Sequence, residues 1–388
     1  MTASAEVLSW YIRPAARRWR CGAPAGAAAA FHARLPGYRP TELHELPALA
    51  RELRVGRVFV KDESTRLGLP AFKVLGASWA VAQVLAAPDA GARAAGVAGP
   101  LTVAALRRAA ADRPVELVTA TDGNHGRAVA WMGRLLGLDV RVFVPEAVSP
   151  GAAAAIAAEG ATVTVVSESY DRAVERAARY VAARPGRELV QDTAWPGYER
   201  VPGWIVAGYG TMLGEVDMQL REQGLPGPGL VSVPAGVGSL AQAVVAHYRG
   251  QPSAGHPGPA VLTVEPDTAA CVLASLRSGA LRSVPTPGTV MAGLNCGTPS
   301  SLAWPVLAAG LDAAIAVPDH AARQATADLA RLAVSSGPSG AASLAGVRAA
   351  LTGPDSPKRR EDLAVTPSSV LVLLSTEGSA AAAAQARP

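Results

Sequence analysis

From Arg57 to the C-terminus, short apolar segments alternate with stretches of helical spacing, and this limits the available folds more than any other feature. RVFVKDES opens with a strand, Arg57 to Val60, that runs into a polar loop. AFKVLGASWAVAQVLA, just after Pro70, spaces its apolar residues as a helix does. VELVTATDGNHG is a strand, Val115 to Thr119, entering a Gly-rich turn, and RAVAWMGRLLG follows as a helix closed by Gly137. DVRVFVP, TVTVV, ELVQDT, GLVSVP, AVLTVEPD and SVLVLLSTEG read as further strands. Helices are predicted at Ala152–Gly160, 170–183 and Trp204–Gln223, after AGVGS, from Asp319, and at the end of SGPSGAASLAGVRAAL. Short apolar strands bounded by helices argue for an α/β chain with mostly parallel sheets covered on both faces. Ligands of such sheets bind beyond the carboxyl ends of the strands, so chemistry is sought in the polar loops there. Residues 1–40 show weak periodicity, and Ala90–Pro100 reads as a loop. Thr352–Pro367 reads as a polar connection, and Ser379–Pro388 as a frayed tail.

With 388 residues, 49% of them hydrophobic, the chain can bury two closely associated domains or one large one. Three scattered cysteines suit neither a disulfide framework nor a zinc site, and the six histidines form no HExxH, so no metal is expected. The net charge of +5 comes from dispersed arginines with few aromatics, which speaks against nucleic acid. No apolar run has membrane-spanning length, and the N-terminal segment makes a poor secretory signal, so a cytoplasmic protein is expected.

Of the 36 basic residues only Lys61, Lys73 and Lys358 are lysine. Arginine serves nearly everywhere a cation will do, and an amine is what a Schiff base requires. Lys73 lies among Ala71, Phe72, Val74 and Leu75, surroundings that desolvate an amine, although the local sequence alone favours a snorkelling helix lysine. Lys61 stands beside Asp62 and Glu63, and Lys358 in PDSPKRRED reads as solvated. PAGVGSLAQAVV places Gly236, Val237, Gly238 and Ser239 between strand and helix, where backbone N–H groups can cradle a phosphate, or where glycine merely allows tight packing. In TATDGNHG, the residues Thr121, Gly123, Asn124 and His125 enter a helix whose dipole favours an anion, and Asp122 is either an N-cap or an acid/base group. Asp192 in VQDTAW ends a strand, as a turn former or as chemistry. LVLLSTEG delivers Ser375 and Thr376 from a buried strand, where a hydroxyl can face a pyridine nitrogen, or simply turn the chain. Cys271 and Cys296 either approach each other near the mouth of the site or are two unpaired small apolar residues, which is the reading that suits a cytoplasmic protein.

A lysine before a helix, a GNH turn, a GVGS loop and a terminal Ser/Thr strand, in that order, resemble the fold-type-II (tryptophan synthase β-like) enzymes that use pyridoxal phosphate. Within these, LPGYRPTEL, VKDES, AFKVLG, QDTAWPGYE, GYGTM, VEPD and MAGLNCG are most similar to the diaminopropionate ammonia-lyase family. The resemblance implies two domains, each a mostly parallel sheet flanked by helices: 1–90 with 200–388 as the larger, cofactor-binding one, and 91–199 as the smaller, substrate-contacting one. It implies that Lys73 holds the cofactor beside Phe72 and shuttles the α-proton. Asn124 would bond the ring oxygen, Gly236–Ser239 the phosphate, and Ser375 with Thr376 the ring nitrogen. Thr121–His125 would receive the substrate carboxylate, Asp122 would act as base on a D substrate, and Asp192 would lie near the β-amino group. The implied reaction is elimination of ammonia from 2,3-diaminopropionate, giving pyruvate and ammonia, by a homodimer. A serine/threonine dehydratase-like lyase, a β-replacement synthase and a non-catalytic sensor are the alternatives. The acidic residue usual in the family's SGxSGA loop is replaced by Pro338.

Overall fold

A computed structural model describes residues 10–22, 26–86, 100–121, 123–167, 170–250 and 258–385. The strands among these are β1 (Trp10–Ile12), β2 (Leu43–Glu45), β3 (Arg57–Asp62), β4 (Glu116–Ala120), β5 (Val140–Pro145), β6 (Thr162–Val166), β7 (Arg187–Leu189), β8 (Leu230–Pro234), β9 (Ala260–Pro266), β10 (Ala313–Val317) and β11 (Val370–Ser375).

The chain divides into two compact units. One is built mainly from Pro40–Thr65 and Met212–Ser379, the other mainly from Arg66–Thr211. Residues 66–86, grouped above with the larger domain, cluster here with the unit that holds β4 to β7.

In the first unit the sheet runs β1-β10-β9-β8-β11-β3-β2, with antiparallel pairing only at its two ends, β1 on β10 and β2 on β3. Every residue of β8 and β9 is buried, as expected of central parallel strands covered on both faces. Helix Pro338–Leu351 lies over this sheet, and Gly346 lets it approach: a Cβ there would come 2.3 Å from Val264 Cγ2. Val264, Leu344, Val347, Leu371 and Leu373 belong to the resulting core. In the second unit the all-parallel order is β6-β5-β4-β7, and Val118, Phe143, Ala173 and Ala177 pack on one face.

The α/β class and its parallel sheets follow the alternation in the sequence. Two readings are corrected. The polar connection contains helix Ser356–Leu363, because Pro357 is tolerated in a first turn and Lys358 pairs with Asp362 at i,i+4. The expected frayed tail forms helix Ser379–Gln385, an alanine run of high propensity. Ser149 Oγ donates to Ala384 O at the end of that helix. Within residues 1–40, Trp10–Ile12 forms an edge strand, and Arg17 Nε reaches Asp312 Oδ1 at 3.0 Å. No described helix is long and apolar enough to cross a membrane.

Candidate active site

Two sets of side chains gather at strand ends, one in each unit. In the β4–β7 unit, Lys73 opens helix Lys73–Ala86. Asp192 follows β7, and its Oδ2 lies 2.7 Å from Lys73 Nζ. Burial alone would raise the Asp192 pKa, but the Lys73 charge and hydrogen bond bring it down to about 2. The carboxylate is therefore an anion throughout the working range, and it holds an alkylammonium.

Side chains fix this corner. β7 stops at Leu189, short of the predicted ELVQDT strand, because the ladder partners beyond it are taken. Ala120 N donates to Gln191 Oε1 at 2.9 Å, and Val190 O accepts from His125 Nε2 at 2.8 Å. Gln191 Nε2 also donates to Tyr170 Oη at 2.8 Å, and Gln191 N to Tyr198 Oη at 2.9 Å. Trp195 stacks on Tyr198 with ring centroids 4.5 Å apart. The QDTAWPGY segment thus builds its own clamp around Asp192.

His125 is 3% exposed. Because Nε2 faces a carbonyl, it carries the proton, which leaves Nδ1 a lone pair. Nδ1 has no hydrogen-bond partner and lies 3.9 Å from Asp192 Oδ2. Burial, with the Lys73 charge, pushes the His125 pKa down against the pull of Asp192, so the ring stays neutral. Two acceptors facing each other call for an N–H donor, as an ammonium supplies and a carboxylate does not.

Thr121 Oγ1 accepts from the backbone N–H of Gly123 at 3.0 Å and of Gly126 at 3.1 Å, so it caps helix Asn124–Leu136. Gly123, at φ 153°, makes the turn, and Asn124 is the first helical residue. Asp122 lies outside the described residues. Phe72 is buried, with its ring 4.7 Å from that of Tyr209.

In the other unit, β8 runs through Gly236, Val237 and Gly238 into helix Ser239–Gly250. The carbonyls of this turn point back into the protein. Gly236 O lies 3.5 Å from Cys271 Sγ, Val237 O accepts from Ser300 N at 2.8 Å, and Gly238 O from Gln242 N at 2.8 Å. In trans peptides the following N–H groups then face the opposite side, toward a helix N-terminus. Gly238 has φ +90°, and a Cβ on Gly236 would meet Cys296 Sγ at 2.8 Å, so both positions require glycine. Cys271 and Cys296 thus flank Gly236, and neither is in a disulfide. Gln242 Oε1, Asn295 Oδ1 and Ser301 Oγ, from segments around the turn, have no hydrogen-bond partner.

Ser375 ends β11 fully buried and donates to Ser336 Oγ at 2.8 Å, which leaves its oxygen as an acceptor; Thr376 beside it is buried. The other two lysines are accounted for. Lys61 Nζ, fully buried, pairs with Glu215 Oε2 at 2.7 Å and donates to Thr41 O and Gln219 Oε1. Lys358 is exposed and pairs with Asp362.

These residues fit pyridoxal phosphate: an amine with a fixed carboxylate neighbour in one set, and in the other an N–H-lined glycine turn bordered by unpartnered buried polar atoms. The sequence reading missed Gln191 and Tyr209, although both lie in the QDTAW and GYGTM motifs.

Residues 34–373 match the family model described as pyridoxal-phosphate dependent enzyme. The diaminopropionate ammonia-lyase of Salmonella typhimurium is 40% identical over 284 residues, covering 72% of this chain and 68% of that protein. That of Escherichia coli K12 is 35% identical over 362 residues, covering 90% and 86%. The crystal structure of the Escherichia coli enzyme in complex with D-serine superposes with a TM-score of 0.83 at 33% identity, covering 96% of this chain and 95% of that one. The same enzyme in complex with an aminoacrylate-PLP azomethine reaction intermediate gives a TM-score of 0.80 at 31% identity, covering 96% and 94%.

Proposed function

The chain belongs to the pyridoxal-phosphate dependent enzymes and, within them, to the diaminopropionate ammonia-lyase family, and on that premise we propose how its residues work. It is a carbon–nitrogen lyase that eliminates ammonia from 2,3-diaminopropionate, leaving pyruvate and ammonia. Lys73, beside Phe72, would hold the cofactor through its amine, and Gly236, Val237, Gly238 and Ser239 would hold its phosphate. Asn124 would meet the ring oxygen, and Ser375 with Thr376 the ring nitrogen. Bound there, pyridoxal phosphate supplies an electron sink for negative charge developing at the substrate α-carbon.

The remaining chemistry belongs to the protein. The Thr121–His125 turn, at a helix N-terminus, receives the substrate carboxylate. The His125 side chain takes a different part: its Nδ1 lone pair and the Asp192 carboxylate accept the β-ammonium. Lys73, or Asp122 for a D substrate, removes the α-proton. Asp192 keeps the proton on the departing β-nitrogen, so that it leaves as ammonia.

The observation that carries this reading is the pair of acceptors, Asp192 Oδ2 and His125 Nδ1, 3.9 Å apart with an alkylammonium already on the carboxylate. A hydroxyl leaving group has no use for two acceptors, so an amine is favoured over serine or threonine. The enzyme works as a cytoplasmic homodimer, a reading that rests on the family likeness.

Ammonia and pyruvate release from D- and L-2,3-diaminopropionate, serine, threonine and cysteine tests the assignment. Diaminopropionate should give two ammonia for each pyruvate, and give them faster than any hydroxy amino acid gives its products. Preference for serine or threonine would overturn it.

A further inference from the structure

Tyr209, in the GYGTM motif, has no part in the chemistry above. It lies on helix Arg200–Glu222, and none of its surface is exposed. Its ring packs on Phe72 and against the bare Cα of Gly76, one helical turn beyond Lys73. A Cβ at Gly76 would come 2.6 Å from Tyr209 Cε1 and 2.9 Å from Cζ, the atom that bears the hydroxyl. Gly208, the preceding residue, likewise lets the Leu75 carbonyl approach: a Cβ there would come 2.4 Å from it. The tyrosine is thus fitted into the start of the Lys73 helix from both sides.

Its hydroxyl meets no partner at ordinary hydrogen-bond geometry, and the group that it reaches is the Lys73 amine. Burying a phenol is costly without such a partner. Lys73 Nζ lies 5.4 Å from the centroid of the same Phe72 ring on which Tyr209 packs, and 2.7 Å from Asp192 Oδ2, so phenol, amine and carboxylate share one corner. Burial pushes the Tyr209 pKa up against the Lys73 charge, so it remains a neutral phenol able both to donate and to accept.

We propose that Tyr209 is a positioning residue for Lys73: its hydroxyl holds the amine beside Asp192 in both protonation states. The phenol oxygen accepts from the ammonium, and the phenol O–H donates to the free amine. Neither state of Lys73 is then left to swing away between taking the α-proton and giving it up. The proposal rests on Lys73 being the proton carrier. The titratable groups facing Lys73 among the described residues are Asp192 from the β7 end, His125 from helix Asn124–Leu136 and Tyr209 itself.

Tyr209→Phe keeps the ring and removes only the hydroxyl. In the holoenzyme kcat should fall about ten- to a hundred-fold with KM little changed, the loss expected of a misplaced reacting group. A second readout does not depend on turnover. With Nζ-labelled lysine in the full chain freed of cofactor, only three lysines contribute signals, and a Lys73→Met control assigns the relevant one. Loss of an acceptor for the cation should move the Lys73 titration to lower pH by about half a unit or more. An unmoved titration overturns the proposal whatever happens to kcat, and so does an unchanged kcat. A wild-type enzyme inactive on diaminopropionate would instead defeat the functional reading, while the titration still decides whether Tyr209 holds Lys73.

Discussion

Replacing Asp192 by Asn removes one charge, keeps the shape and leaves an oxygen that can still accept a hydrogen bond. The carboxylate sits at about 2 against an ordinary 3.8. At 1.36 kcal/mol per unit, that difference is about 2.5 kcal/mol of net preference for the ionised form, or about 60-fold. Burial works against the charge, so the ammonium contributes more than this net figure. A substrate β-ammonium on the same carboxylate should draw a comparable stabilisation. kcat/KM for 2,3-diaminopropionate is therefore expected to fall about 60-fold or more in Asp192→Asn. Binding of D-serine, which presents a neutral hydroxyl at that position, should change far less. Ammonia release gives the first number, and the change in cofactor absorbance on titration with D-serine gives the second. The reasoning fails if diaminopropionate turnover stays within about threefold of wild type, a loss below about 1 kcal/mol. It also fails if both amino acids lose equally, because Asp192 would then act on the part of the reaction they share.

Lys73→Ala should abolish turnover and the borohydride-fixed mass increment of the cofactor on the chain; a retained increment would place the attachment elsewhere. Gly238→Ala puts a side chain at φ +90° with its Cβ 2.8 Å from Leu307 Cδ1. It should weaken cofactor retention measured by dialysis and cost about 1–3 kcal/mol of stability to backbone strain. Arg249 is fully buried between Asp312 and the carbonyls of Gly310 and Pro259. Arg249→Ala, which leaves Asp312 with Arg17 as its remaining ion-pair partner, should cost about 2–4 kcal/mol in denaturant unfolding. Asp192 is a depressed carboxylate, so in the cofactor-free chain its stabilisation is present above about pH 4 and is lost as pH falls through about 2. Asp192→Asn should flatten that part of an acid-unfolding curve, and an unchanged curve would show that the pair contributes nothing to stability.

The division between what was legible and what was not follows interaction range. Strand–helix alternation is local, and it named the parallel sheets because apolar runs such as LVSVP and AVLTVEP can be buried only when covered on both faces. The glycine turn and the candidate amine could be read from their immediate neighbours. Helix Ser356–Leu363 was hidden because polar composition with a proline describes a loop and a short solvated helix equally well. The end of β7 was hidden because Gln191 and His125 replace backbone partners, a choice made by side chains far apart in sequence.

By itself, the sequence determined that the chain is a layered α/β protein with Lys73 at a helix start, a glycine turn after β8, and a hydroxyl pair after β11. It left open which lysine matters and what Asp192 and His125 do. Tertiary structure gave each of them its surroundings. Lys61 is spent on Glu215, whereas Lys73 meets a carboxylate 119 residues away. His125 stays neutral because it is buried beside Lys73, and its Nδ1 is left as an acceptor because Nε2–H donates to the Val190 carbonyl. Protonation and partnership depend on what folding brings within about 4 Å, and no reading of neighbours along the chain supplies that.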